Sequence, residues 1–217
     1  MKICGTTNLE DALTAVEAGA DAVGFVFYEK SPRNVTVEAA REIVEKLPER
    51  VEKVGVFVGV SPTVADTSKR AGLTVAQIYV HTQPALTDEY LTQLPCRVIP
   101  AISLGAIGED ELCGFRVSQK VREHVVATLI DSGNSERPGG TGGHFDWQAM
   151  ADPARYAGMN LVVAGGLTPE NVGEAMGILK PWGVDVVSGV EARPGKKDPE
   201  KVRAFVRAVR QMDRRNA

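Results

Sequence analysis

The 217 residues carry 25 Lys+Arg against 28 Asp+Glu, a formal net charge of −3, with 43% hydrophobic and 24% charged residues. This is the balance of a globular chain long enough to bury a sizeable core. It argues against nucleic acid as the main partner, because phosphate backbones demand a basic face, and no apolar run approaches the ~20 residues of a membrane span. Met1-Lys2-Ile3-Cys4-Gly5 has no apolar core of signal-peptide length, so no export signal is expected and the cytoplasm is the default compartment. Cys4, Cys96 and Cys113 form no CxxC pair, which speaks against both a disulfide framework and a zinc site.

Short apolar, β-branched runs alternate with longer stretches of helical patterning. The predicted strand Lys2-Cys4 is followed by a helix over Leu9-Ala18, Ala22-Phe27 by Val37-Leu47, and Val54-Val58 by Val64-Ala71. Strands over Val75-Tyr79 and Arg97-Ile102 come next, then a weakly patterned helical stretch around Glu109-Val121. The runs Val125-Ile130, Leu161-Ala164 with Glu170-Leu179, and Val184-Val187 with Lys201-Met212 complete the chain. Asn8 precedes the first helix as a capping side chain. Ser61-Pro62, Thr168-Pro169 and Asp198-Pro199 each set a capping oxygen before a proline, which has no N–H to leave unsatisfied. Strand then helix, eight times over, implies parallel strands joined by crossover helices. An open doubly wound sheet and a closed (β/α)8 barrel both satisfy that rule, and the count of eight selects the barrel. No Pro-, Gly- or Ser-rich linker divides the chain, so residues 1–217 are expected to form one domain.

In such a barrel the active site lies at the C-terminal ends of the strands. The ends at Cys4-Gly5, Ser31-Pro32-Arg33, Asp131-Ser132-Gly133, Gly165-Gly166 and Ser188-Gly189-Val190-Glu191 therefore converge on one rim. Gly165, Gly166, Ser188 and Gly189 occupy the two loops that commonly bind phosphate, where glycines let backbone N–H groups approach an anion. Each could also simply make a tight turn, and it is their pairing on adjacent strands that favours phosphate. Pro138-Gly139-Gly140-Thr141-Gly142-Gly143 lacks a P-loop ending and reads as a flap over the site. Cys4 is either a small core residue or a reactive thiol, whose pKa Lys2, two residues away on the same face, would lower. Asp131 is either the cap of the turn at Ser132-Gly133 or a general acid with a raised pKa. Arg33 is either a surface cation or a fork for a substrate carboxylate. His81, His124 and His144 are scattered and form no metal constellation, and Phe145 and Trp147 read as anchors for the following helix.

These segments, in order and spacing over essentially the whole chain, resemble phosphoribosylanthranilate isomerase of tryptophan biosynthesis. The matching set includes Lys2-Ile3-Cys4-Gly5, Gly24-Phe25-Val26-Phe27, Ser31-Pro32-Arg33, Gly55-Val56-Phe57-Val58 and Asp131-Ser132-Gly133. It continues through Gly139-Gly140-Thr141-Gly142, Phe145-Asp146-Trp147, Ala164-Gly165-Gly166-Leu167, Ser188-Gly189-Val190-Glu191 and Gly195-Lys196-Lys197-Asp198. The resemblance implies a single-domain (β/α)8 TIM barrel of the ribulose-phosphate-binding type, with no metal and no organic cofactor. It implies an Amadori rearrangement of N-(5-phosphoribosyl)anthranilate to 1-(2-carboxyphenylamino)-1-deoxyribulose 5-phosphate. Cys4 would be the base and Asp131 the acid; Arg33 would meet the anthranilate carboxylate, and Gly165, Gly166, Ser188 and Gly189 the phosphate. The partner would be that small-molecule substrate, on a monomer or homodimer. Gln77-Ile78-Tyr79-Val80 departs from the Gln-Leu-His-Gly usual at the end of strand 4. The rivals are a histidine-pathway isomerase, which uses an aspartate where this chain has Cys4, and a non-catalytic phosphosugar-binding barrel. Indole-glycerol-phosphate synthase, another relative of this barrel, relies on strand-end lysines that this chain lacks.

Overall fold

A computed structural model describes residues 1–80, 86–104, 118, 121–133, 147–148 and 160–216. Eight strands run in chain order: β1 (Lys2–Ile3), β2 (Ala22–Val26), β3 (Glu52–Val58), β4 (Val75–Tyr79), β5 (Arg97–Ser103), β6 (Thr128–Asp131), β7 (Leu161–Val163) and β8 (Gly183–Val186). Each is parallel to its neighbours, and β1 closes on β8 through Lys2↔Asp185 and Ile3↔Val186, so the sheet is a closed barrel. The described helices are α1 (Leu9–Ala18), α2 (Val37–Val44), α3 (Thr63–Ala71), α4 (Asp88–Gln93), α5 (Val172–Leu179) and α6 (Pro199–Asn216). A 3₁₀ turn at Ser188–Val190 leads into an antiparallel ribbon, β9 (Glu191–Arg193) with β10 (Lys196–Lys197). The weakly patterned stretch at Glu109-Val121, save Ser118 and Val121, and the readings made on His81, Cys113, Pro138-Gly143, His144 and Phe145 lie outside the described residues.

Strand alternation sorts the apolar side chains onto two faces of the sheet. Ile3, Val23, Phe25, Ile78 and Val98 point outward and bury under the helices. Cys4, Val54, Val56, Tyr79, Ile99, Ala101, Leu129, Val162 and Ala164 fill the barrel itself. Polar residues placed on the inner face are therefore sealed from water unless they reach the open rim.

The helix starts follow their caps. The Asn8 side chain accepts from Asp11 N at 3.0 Å, and Asp198 Oδ1 accepts from Glu200 N at 2.9 Å and Lys201 N at 3.2 Å. At Ser61-Pro62 the proline stands at the N-cap rather than inside the helix: α3 begins at Thr63, whose N donates to Ser61 Oγ at 3.2 Å, and the N-cap itself makes no side-chain bond. Thr168-Pro169 opens a turn, and α5 begins only at Val172. The cause is Asn171, whose Oδ1 accepts from Thr168 N at 2.7 Å while its Nδ2 donates to Gly166 O at 2.9 Å. That bracing closes the chain into a loop before the helix can start. The short α4 adds an element the hydrophobic pattern did not mark; six residues with Leu91 alone buried carry no periodic signal.

Candidate active site

Cys4 follows β1 at the upper end of the barrel interior, 3% exposed. Lys2, one pleat below on the same face, donates to Asp185 Oδ2 at 2.6 Å and to Gln77 Oε1 at 2.8 Å. Lys2 and Asp185 are register partners across the β1–β8 seam, so the ladder itself aligns the pair. Gly24 of β2 makes room for them: a Cβ there would lie 2.6 Å from Cys4 Sγ and 2.9 Å from Lys2 Cε. Burial tends to lower the Lys2 pKa, but Asp185 and Cys4 hold the ammonium above its ordinary value. Burial also dominates at Cys4 and raises its thiol, against the opposing pull of Lys2 and with Asp185 adding to the rise. The expectation that Lys2 lowers the thiol is thus correct for its own contribution and wrong for the net direction. Desolvation of the sulfur outweighs one ammonium already engaged by a carboxylate.

Asp131 ends β6, on the far side of the barrel from β1 and 2% exposed. Its Oδ1 accepts from Gly133 N at 2.7 Å, and its Oδ2 accepts from the Tyr79 hydroxyl at 2.9 Å. Burial raises its pKa; the Gly133 and Tyr79 donors and the more distant Lys2 pull the other way, and the net direction is upward. Asp131 is therefore the cap of its own turn and also a buried carboxyl whose pKa burial pushes up, the direction a general acid needs. Ser103 of β5 pairs in register with Asp131, and its buried Oγ has no hydrogen-bond partner among the described residues. Sequence reasoning missed Ser103, because an alternating strand gives no sign of where its inward face emerges at the rim.

Arg33 is not a loose surface cation. Its Nε and Nη2 donate to Glu191 Oε1 and Oε2 at 2.9 and 2.7 Å, a two-pronged pair with side chains only 11% and 4% exposed. Its aliphatic stem packs on Gly5, where a Cβ would lie 2.9 Å from Arg33 Cδ. Lys197, fully buried, donates to Glu191 Oε1 at 3.3 Å and to Val187 O at 3.1 Å. Burial would raise the Glu191 carboxyl, yet Arg33 and Lys197 hold it below its ordinary value. Burial lowers Lys197, with Glu191 opposing. Asp11 of α1 completes the cluster, accepting from Lys197 N at 2.8 Å and Lys196 Nζ at 2.7 Å. The partners Glu191 and Lys197 fall in quoted sequence segments, but nothing in their spacing marks them as a pair with Arg33.

The two glycine loops come together. Gly165 and Gly166 have φ of +90° and +63°, left-handed values that favour glycine. Gly165 lies against Ser132, whose backbone N would be 2.5 Å from a Cβ there. A Cβ on Gly189 would collide with the Leu167 carbonyl oxygen, so the Ser188–Val190 turn lies directly on the loop after β7. The backbone N–H groups of Gly165 and Gly166 donate to no group among the described residues, and Asn171 fixes the loop's orientation from behind. Two adjacent loops of this kind beside a helix start can receive an anion. Trp147, by contrast, packs on the outer core.

Among the described residues, the barrel rim thus carries a buried thiol, a buried carboxyl opposite it, a cation cluster and a paired glycine-loop cradle. The family model described as "N-(5'phosphoribosyl)anthranilate (PRA) isomerase" matches residues 1–208. Among similar proteins, the N-(5'-phosphoribosyl)anthranilate isomerase of Geobacter sulfurreducens is 43% identical over 212 residues, covering 97% of this chain and 98% of that protein. That of Citrifermentans bemidjiense is 45% identical over 208 residues, covering 95% and 94%. The crystal structure of phosphoribosyl anthranilate isomerase from Thermotoga maritima superposes with a TM-score of 0.80 at 38% identity, covering 97% of this chain and 98% of that one. A structure of the isomerase in complex with reduced 1-(o-carboxyphenylamino)-1-deoxyribulose 5-phosphate gives 0.76 at 38% identity, covering 97% of each chain. The chain belongs to the N-(5'-phosphoribosyl)anthranilate isomerase family.

Proposed function

We propose that Cys4 is the general base and Asp131 the general acid of the family's reaction in this chain. That reaction is the Amadori rearrangement of N-(5-phosphoribosyl)anthranilate to 1-(2-carboxyphenylamino)-1-deoxyribulose 5-phosphate, a step of tryptophan biosynthesis. Asp131 gives its proton to the furanose ring oxygen as the C1′–O bond breaks and the nitrogen lone pair forms the C=N bond of a protonated Schiff base. The Cys4 thiolate then takes the proton from C2′. The C–H electron pair becomes the C1′=C2′ double bond of an enolamine, the nitrogen recovers its lone pair, and tautomerisation gives the ketone.

The placement of Cys4 and Asp131 on opposite walls of one barrel carries this reading, since acid and base must flank the sugar. The loops at Gly165, Gly166, Ser188 and Gly189 are the phosphate cradle. Arg33 offers the anthranilate carboxylate its Nη1, which donates to no group among the described residues, while Glu191 holds the rest of the guanidinium in place. Ser103 Oγ, level with Asp131 and without a partner among the described residues, would meet a sugar hydroxyl. The working unit is the whole chain, residues 1–217, as one barrel, monomeric or paired with a second copy, and the cytoplasm is where we place it. Among the described residues no helix is long and apolar enough to cross a membrane.

Loss of phosphoribosylanthranilate fluorescence on adding purified protein tests the activity. Asp131→Asn keeps the shape and one acceptor but cannot deliver a proton, and should lower kcat by ~10²-fold or more with the fold intact. An Asp131→Asn variant as active as the parent, with the parent's pH–rate profile, would return Asp131 to its role as turn cap.

A further inference from the structure

Tyr79 is the last residue of β4, fully enclosed in the barrel interior. Its register partner on β5 is Ala101, which pairs in turn with Leu129 on β6, so the Tyr79 Cα lies one pleat below Asp131 and two strands away. Ala101, also on the inner face, is too small to block the span, and the phenol crosses it to place its hydroxyl 2.9 Å from Asp131 Oδ2. The other oxygen, Oδ1, is held by Gly133 N–H at 2.7 Å.

These two partners are not equivalent. A backbone N–H can only donate, so a proton on Oδ1 would find no acceptor there and would leave Gly133 N–H the poorer, protonated oxygen to donate to. A hydroxyl can donate or accept, so a proton on Oδ2 keeps a partner in either orientation of the phenol. We propose that Tyr79 is a positioning residue for the acid, fixing the plane of the Asp131 carboxyl together with Gly133 and making Oδ2 the oxygen that carries the catalytic proton. The hydroxyl stays with Asp131 in both protonation states, donating to the carboxylate and then either accepting from the acid or donating to its second lone pair.

This inference rests on Asp131 being the acid, and its tests separate the two claims. Tyr79→Phe removes the hydroxyl and keeps the ring that fills the barrel. Turnover should fall by about 10- to 10²-fold, the scale of a misplaced reacting group, while KM stays near the parent value. Carbonyl carbon-13 NMR of labelled aspartate, assigned with Asp131→Asn, should show the Asp131 midpoint rise by about one pKa unit, because a donor to the carboxylate has been lost. In an Asp131→Asn background, Tyr79→Phe should cost no further turnover. Should Tyr79→Phe fold poorly, the parent supplies the same test: the Tyr79 Cζ resonance should shift as Asp131 titrates, and Asp131→Asn should abolish that shift. Equal losses from Tyr79→Phe in both backgrounds, or an Asp131 midpoint indifferent to the phenol, would overturn the inference while leaving the assignment of Asp131 standing.

Discussion

Replacing Glu191 with alanine isolates the charge cluster behind the rim. In the intact protein its carboxylate is nearly sealed from water and answers two buried cations, the forked guanidinium of Arg33 and the ammonium of Lys197. Removing one member of a buried pair leaves an uncompensated charge, at about 3–5 kcal/mol. Lys197 can relieve part of this by shedding its proton, toward which burial already pushes it, whereas a guanidinium cannot. The lower part of the range, about 3–4 kcal/mol, is therefore expected. At roughly 2–4 °C per kcal/mol for a chain of this size, Glu191→Ala should melt about 6–16 °C below the parent. The pH dependence follows from the direction of the shift. Glu191 is held below its ordinary value in the fold, so its contribution is complete above the unfolded pKa of ~4.3 and fades as pH falls through the folded value. Calorimetric melts should show the full gap near neutral pH, some easing toward alkaline pH as Lys197 of the variant loses its proton, and a narrowing gap below ~4. A variant melting within about 2 °C of the parent at neutral pH, or a gap that persists into acid, would refute the view that this cluster is held together by charge.

Cys4→Ala should lower kcat by ~10²-fold or more with little change in KM, and Cys4→Ser should recover little, as steady-state kinetics would show. Because Cys4 is buried and its thiol raised, alkylation followed by mass spectrometry of its peptide should be slower than for free cysteine and should accelerate into more alkaline pH. Gly189→Ala drives a methyl group into the Leu167 carbonyl, so inorganic phosphate should inhibit it more weakly and its KM should rise; an unchanged inhibition constant would place the phosphate elsewhere. Gly24→Ala crowds Cys4 Sγ and Lys2 Cε together. It should cost about 1–3 kcal/mol in denaturant titration and reduce turnover along with it.

The order of strands was legible because parallel strands buried on both faces read as continuous apolar runs, and Val75–Tyr79 and Leu9–Ala18 emerge with the boundaries their patterns predict. Cys4 and Asp131 were legible because a polar group closing an apolar run marks a strand end, and strand ends in this architecture share one rim. What could not be read is whatever depends on contacts between distant strands. Arg33 and Glu191 are 158 residues apart, Lys2 and Asp185 183, and no local spacing foretells either pair. The same holds for the sign of the Cys4 shift. Sequence gives the neighbouring lysine, while the desolvation that outweighs it belongs to the closed barrel.

With Asp131 as the proposed acid and Cys4 as the proposed base, burial acts on both in the same direction, yet only one of them gains from it. Raising Asp131 keeps a proton available for the ring oxygen; raising Cys4 withholds the thiolate that must remove the proton from C2′. The reactive form, thiolate with protonated carboxyl, and the alternative, thiol with carboxylate, carry the same number of protons. Their ratio therefore does not change with pH and is set only by what surrounds each group. On the Cys4 side the setting comes from Lys2, an ammonium kept charged by Asp185 at 2.6 Å. On the Asp131 side it comes from two donors that favour the carboxylate, Gly133 N–H and the Tyr79 hydroxyl. Lys2 draws the shared proton toward Asp131, and those donors resist the transfer. The barrel interior must keep both influences, because a carboxyl without its donors would lose the orientation that aims its proton. On the proposed roles, the polar residues sealed inside this barrel have a common use: Gln77 and Asp185 hold Lys2, Lys2 acts on Cys4, and Tyr79 acts on Asp131.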